Sequence, residues 1–199
     1  MKRTISSFLL VVLLLASISV FSAEKRKYGN RNRDYKGYIG ISEGPSFSLG
    51  NYPADATIGV SSYFSFGYRF GKNWGLALNS FSTIQGIKNE TETSDLLYLG
   101  LLAGPQYTLK PSKKLYIDIK PSIGYMFSDS LKIRLVNEVS EGSIASLAYD
   151  LGTSLRYNFS KRWYFSSNID YLYSTLKVSK GKETISSIKI GIGIGYLLK

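Results

Sequence analysis

The stretch "LYIDIKPSIGYMF" (115–127) alternates along its whole length. Leu115, Ile117, Ile119, Pro121, Ile123, Tyr125 and Phe127 share one face, and Tyr116, Asp118, Lys120, Ser122, Gly124 and Met126 share the other. A period of two sustained this far specifies a β-strand with two different environments on its faces. The same division recurs in "IGVSSYFSFGYRF" (58–70), in "IASLAYDLGTSLRYNF" (144–159), and in the terminal run, where Ile188, Ile190, Ile192, Ile194 and Tyr196 oppose Ser187, Lys189, Gly191, Gly193 and Gly195. No segment after Gly37 keeps a helical spacing. Counting the alternating segments predicts strands at 38–49, 57–70, 74–84, 96–109, 114–128, 143–159, 163–177 and 184–198, an even number, as a closed antiparallel barrel needs.

The connections between these strands alternate in length. Short turns at 71–73, 110–113 and 160–162 fall on one rim, while longer connections at 50–56, 85–95 and 129–142, with an intermediate one at 178–183, fall on the other. Membrane barrels show this asymmetry, with tight periplasmic turns and longer outer loops. Two of the short turns carry nearly the same text, "YRFGKNWGLAL" (68–78) and "YNFSKRWYFSS" (157–167). Tyr68, Phe70, Trp74, Tyr157, Phe159 and Trp163 flank them, with Tyr107 beside the middle turn and Tyr196 on the last strand. Rings of this amphipathic type belong at headgroup depth, so these eight are expected to form an aromatic girdle, with Lys72, Lys161 and Arg162 in water beyond it.

Alternation alone does not say which face meets water. The minority face decides it: Arg69, Asp118, Lys120, Asp150, Arg156, Asp170 and Lys189 lie there among Ser, Gly and Asn. These small residues suit the crowded inside of a narrow cylinder. Turning the register by one residue would place all seven charges in hydrocarbon, at a total cost on the order of 10–20 kcal/mol. They are therefore expected inside, with four cations nearly balancing three acids in a salt-bridge network that fills the barrel. Glu43 falls on the lipid side of the first strand unless a bulge near Gly44 redirects it.

At 199 residues the chain is one domain. Cysteine and histidine are absent, which excludes disulfides, Cys/His zinc sites and histidine-based acid–base catalysis. No catalytic, cofactor-binding or metal site is expected. The opening "MKRTISSFLLVVLLLASISVFSA" has Lys2 and Arg3, an apolar run from Phe8 to Val20 and small residues at Ser22 and Ala23, the layout of a cleaved signal peptide over 1–23. Its loss would lower the formal charge of +11 by the two charges of Lys2 and Arg3, to +9. Residues 24–36, "EKRKYGNRNRDYK", read as a basic mobile periplasmic tail. The alternating strands that follow argue against a nucleic-acid partner. The glycine run at 191–195 lacks the helix and spacing of a nucleotide loop. Glycine at every second position instead leaves room for bulky neighbours such as Tyr63 or Tyr116.

The stretches "GYIGISEGPSFSLG" (37–50), "LLAGPQYTL" (101–109) and "IGIGIGYLL" (190–198) resemble the small eight-stranded outer-membrane β-barrel proteins of Gram-negative bacteria. The resemblance covers 37–199. It implies an all-β, up-and-down transmembrane barrel in the outer membrane, porin-like in architecture, a monomer in contact with lipid and lipopolysaccharide, inserted by the outer-membrane assembly machinery. The last strand departs from the family pattern by ending Leu198–Lys199, with Tyr196 as its last aromatic residue. Barrel enzymes of this type typically rely on histidine, so the resemblance implies no enzyme here. An eight-stranded barrel is about wide enough for its own side chains. A structural or surface-binding role is expected, with an external ligand at loop 129–142, where Leu131, Ile133 and Leu135 alternate with Lys132 and Arg134. The alternative is a narrow conduit for small apolar solutes.

Overall fold

The computed structural model describes residues 35–49, 58–88, 93–129, 144–178 and 181–198. They form strands β1 (Gly37–Ser48), β2 (Gly59–Arg69), β3 (Trp74–Lys88), β4 (Thr93–Leu109), β5 (Leu115–Asp129), β6 (Ile144–Asn158), β7 (Trp163–Val178) and β8 (Gly181–Leu198). Each strand pairs antiparallel with its neighbours in sequence, and β1 pairs with β8, so the sheet closes into a barrel with no free edge. Closure satisfies the backbone of every strand without water, which is what hydrocarbon demands.

The register fixes the dimensions. One row of paired residues runs Leu109, Ile117, Leu155, Ser167, Ile192, Glu43, Ser62, Ser82 and Leu99, returning to β4 ten residues from its start. A stagger of ten over eight strands sets a strand tilt of about 40° and a backbone radius of about 8 Å. Side chains fill such a cylinder.

The short turns are built locally. Ser112 Oγ accepts from the backbone N–H groups of Lys114 (3.4 Å) and Leu115 (3.2 Å), and Ser160 Oγ accepts from those of Arg162 (3.2 Å) and Trp163 (3.0 Å). A serine hydroxyl thus holds two of the three short turns, while at 71–73 the backbone N–H groups of Phe70 and Gly71 donate to the Trp74 carbonyl, and the basic residues stay in solvent. On the opposite rim two hairpins reach further than the alternation predicts. β3 and β4 continue to the pair Lys88–Thr93, and β7 and β8 continue to Val178–Gly181. The expected loops at 85–95 and 178–183 are therefore largely strand: backbone pairing carries on past the point where the apolar alternation stops. The signal segment, the tail up to Asp34 and residues 130–142 of the loop lie outside the described residues. Tyr35, at the end of that tail, packs against the cluster of Tyr38, Tyr164 and Leu197 at the barrel base.

Candidate functional site

The periplasmic half of the interior is organised around Asp118. β5 points this carboxylate inward, fully buried, and it accepts from Arg156 Nε (2.5 Å) and Nη2 (3.0 Å), Gln106 Nε2 (2.8 Å), Thr108 Oγ1 (2.7 Å) and Ser154 Oγ (3.5 Å). The Arg156 guanidinium lies 4.0 Å from the centre of the Tyr38 ring and 5.3 and 5.6 Å from those of Tyr116 and Tyr164. A two-pronged ion pair boxed by aromatic faces is a favourable way to keep an arginine out of water. Tyr38 Oη donates to Gln106 Oε1 at 3.0 Å and so ties β1 to the same cluster across the lumen.

The seven expected interior charges do not form one network. Arg69 stands apart at the periplasmic mouth, half-buried, donating to the Tyr35 carbonyl and lying over Tyr116. Lys120, Asp150, Asp170 and Lys189 are buried at mid-height. Lys120, Gly152, Asp170 and Lys189 occupy one paired row across four strands. Asp150 and Asp170 converge over Gly152: a Cβ there would lie 2.2 Å from Asp170 Oδ1 and 3.3 Å from Asp150 Oδ1. Lys189 Nζ nevertheless has no hydrogen-bond partner and sits 3.4 Å from the centre of the Phe81 ring. The lysine ammonium, a single point charge on a flexible stem, rests on an aromatic face, whereas the planar fork of Arg156 locks onto one carboxylate with two N–H groups.

The outer half of the interior holds an apolar cluster among its hydroxyls, a feature the alternation does not announce. Phe81, Leu96, Tyr98, Leu102, Met126, Leu172, Leu176 and Ile185 form one buried cluster with Tyr63 and Ala148. The small polar filling continues beside it, with Ser61 Oγ 2.7 Å from Thr83 Oγ1 and Ser146 Oγ 2.8 Å from Ser174 Oγ, but the charged residues stop at mid-height. The available signal was in β4 and β7: "LLYLGLLAG" (96–104) is apolar on both faces, and Leu172 and Leu176 fall on the inward parity of "YLYSTL" (171–176). A run apolar on both faces marks a strand buried on both. Inward glycines accommodate the rings. Gly195, paired with Tyr164 on the next strand, would bring a Cβ within 2.2 Å of that ring, and Gly100 faces Phe81 in the same way. Tyr164 thus occupies the space over Gly195, while Ser42 of β1 lies over Gly191 and Gly193; the neighbours are not Tyr63 or Tyr116, because residues on the strands directly paired with β8 lie nearest.

On the outer wall, Tyr68, Phe70, Trp74, Tyr157, Phe159 and Trp163 are exposed, with Tyr107 and Tyr196 partly so. Trp74 meets Tyr107 edge-on at 5.0 Å and Trp163 meets Tyr196 at 5.3 Å. A second aromatic band, absent from the expected girdle, consists of Tyr125, Phe127, Tyr149, Tyr171 and Tyr173, all exposed on β5 to β7. Along β7, Trp163 and Tyr173 are ten residues apart, which at this tilt separates the bands by about 25 Å, the height of the apolar belt of an outer-membrane barrel. Between them the wall is mainly Ile, Leu, Val and Phe, with Ser62, Ser80 and Ser167 exposed among them.

This wall and the closed register answer the question of class, and the residue text agrees with them. The family model described as "Outer membrane protein beta-barrel domain" matches residues 8–197. The chain belongs to that family. Among solved structures, Neisserial surface protein A is similar with 13% identity and a TM-score of 0.57 over 81% of this chain and 97% of that one. The attachment invasion locus protein Ail of Yersinia pestis matches at 20% identity and a TM-score of 0.48, covering 81% and 97%. OprG of Pseudomonas aeruginosa matches at 15% identity and 0.45, covering 81% and 96%. A search of curated proteins returns no match. As a member of an outer-membrane barrel family, the protein presents its long hairpins to the exterior and its short turns to the periplasm.

One outward residue breaks the belt. Glu43 is exposed on β1, and its Oε1 accepts from Ser62 Oγ of β2 at 3.1 Å. No bulge redirects it, since the pairing of β1 with β2 keeps a constant offset from Gly37–Tyr68 to Ser46–Gly59. A carboxyl group at this depth carries a cost, though less than the roughly 2–4 kcal/mol of a basic residue at the midplane.

Proposed function

We propose that the protein is a closed, non-enzymatic outer-membrane barrel that acts at the cell surface through its projecting hairpins. The supporting observation is the combination of a packed apolar cluster across the outer half of the lumen with paired strands that continue beyond the outer aromatic band. From the pair Tyr173–Ser186 the β7–β8 hairpin continues five residues to Val178–Gly181, about 12 Å further along the barrel axis. A rigid strand pair held above the membrane offers a shaped surface, while the filled lumen below offers no path for ions. Loop 129–142, which joins β5 to β6 on the same side as this hairpin, is the expected site of an extracellular ligand. The decisive experiment pairs two measurements on refolded protein: absence of conductance in planar bilayers, and loss of binding to host cells or matrix when 130–141 is deleted. Stable openings, or binding that survives the deletion, would defeat this reading.

A conduit for small apolar solutes is the second reading, and one feature favours it. Pairing of β4 with β5 runs from Leu97–Asp129 to Ala103–Ile123, stops, and resumes at Tyr107–Ile119. Pro105 and Pro121 face each other in the interruption, and neither has an N–H to donate. A ladder broken on the lipid side at mid-height is a place where the wall can part. Replacing both prolines with valine would then abolish uptake of an apolar solute by vesicles, and unchanged uptake would dismiss the conduit.

A further inference from the structure

We infer that the β1–β3 face of the outer wall is a self-association surface, on which two copies of this chain meet about a two-fold axis along the membrane normal, joined by Glu43 of each and Ser80 of the other. The inference does not depend on the proposed function.

Glu43, Ser62, Ser80 and Ser82 cluster on this face of the outer wall, whereas Ser167 on β7 and half-buried Thr153 on β6 are polar without an ionisable group beside them. Glu43 pairs with Ser62, Ser62 with Ser82, and Ser80 is the next outward position on β3. Ser62 and Ser80 are exposed and Ser82 half-buried. Around them the wall is apolar, with Ile41, Val60 and Ile192 exposed, Ile192 to 75%. Glu43 lies six residues along β1 from Gly37, about 15 Å up an apolar belt about 25 Å tall. An ionisable side chain at that depth and on the outside needs a polar partner, and lipid tails supply none. Ser62 satisfies only part of the carboxyl group's capacity, since two oxygens offer about four acceptor sites.

Self-complementarity selects a second copy as that partner. The patch holds an acceptor at one side, on β1, and hydroxyl donors at the other, on β3, with β2 between them. A two-fold axis in front of β2 brings each acceptor opposite the other copy's donors. The tilt chooses which donor. At about 40°, the paired row climbs about 3 Å per strand and each residue about 2.5 Å, so two strands beyond Glu43 its own height falls about two and a half residues below Ser82. That position is Ser80. Both copies keep the same orientation and depth in the membrane, so Ser80 Oγ of each can donate to the Glu43 carboxyl of the other. Small hydroxyl side chains at the centre of the patch let the two walls approach closely, as at other intramembrane contacts. The monomer implied by family resemblance assumes an unbroken apolar wall, which this face is not.

The chain has no cysteine of its own, so a single introduced thiol reports contacts cleanly. Val60→Cys places a thiol on β2, beside the axis, and Leu151→Cys places one on β6, on the far side of the barrel. Both go into full-length protein in outer membranes, with the folded state checked by the mobility change on boiling. On oxidation with a membrane-permeant copper complex, Val60→Cys should form a disulfide dimer and Leu151→Cys should not. Adding Glu43→Leu or Ser80→Val to Val60→Cys should weaken association about tenfold, the effect of losing one strong buried hydrogen bond. Equal cross-linking by Val60→Cys and Leu151→Cys, or cross-linking that Glu43→Leu leaves unchanged in a folded barrel, would overturn the inference.

Discussion

Replacing Asp118 with alanine should destabilise the barrel by about 3 kcal/mol, a large effect for one polar side chain. The carboxylate is fully buried and accepts five hydrogen bonds, two of them from Arg156. Its removal leaves a buried guanidinium without a counter-charge, which costs about 3–5 kcal/mol. Two features moderate the loss. Gln106 Nε2 retains Thr108 Oγ1 as an acceptor at 2.9 Å, and the guanidinium retains the Tyr38 face at 4.0 Å, worth roughly 0.5–2 kcal/mol. The expected net loss is therefore about 3 kcal/mol. Arg156→Met should cost a similar amount, because it strands the carboxylate. The double variant Asp118→Ala/Arg156→Met removes both charges together and should be less destabilised than either single change, giving a coupling energy above about 3 kcal/mol in the cycle. Guanidinium unfolding of the barrel in lipid vesicles, followed by tryptophan fluorescence and by mobility on unboiled gels, measures all three. Single changes that each cost under about 1 kcal/mol, or a double variant whose loss equals the sum of the two, would refute the assignment of Asp118–Arg156 as the electrostatic centre of the interior.

Gly100→Ala should destabilise by about 1–3 kcal/mol, because its Cβ would lie 2.2 Å from the Phe81 ring, and adding Phe81→Leu should recover much of that loss in the same unfolding assay. Phe81→Ala alone should cost about 3–5 kcal/mol, since the ring belongs to the apolar cluster and carries the Lys189 ammonium at 3.4 Å. Lipids brominated near the headgroup should quench Trp74 and Trp163 more strongly than lipids brominated near the chain end, because both indoles sit in the periplasmic aromatic band. Equal quenching would mean that the barrel lies at a different depth.

Much of the architecture could be read from residue text alone because β-structure writes its two environments at a period of two. The eight strands, the closed order and the outward set of Ile, Leu and aromatic residues follow from that period and from hydrocarbon's intolerance of charge. Ile117, Leu151 and Ile190 are on the wall for this reason. Strand ends were less legible. β3 and β7 run on to Lys88 and Val178 because hairpin pairing above the membrane needs no apolar face.

What tertiary structure alone decided is how side chains from different strands meet across the lumen and along the wall. Sequence placed Asp118, Lys120, Asp150, Arg156, Asp170 and Lys189 inside. Only the stagger of ten and the shapes of the side chains determine that Arg156 closes on Asp118 while Lys189 rests on Phe81. The same stagger stacks Leu96, Leu102, Leu172 and Ile185, distant in sequence, into one plug. It also sets Glu43 at the height of Ser80, two strands away. A period of two assigns a residue to a face, but height around a tilted cylinder depends on every pairing between one strand and the next, and no single segment contains that sum.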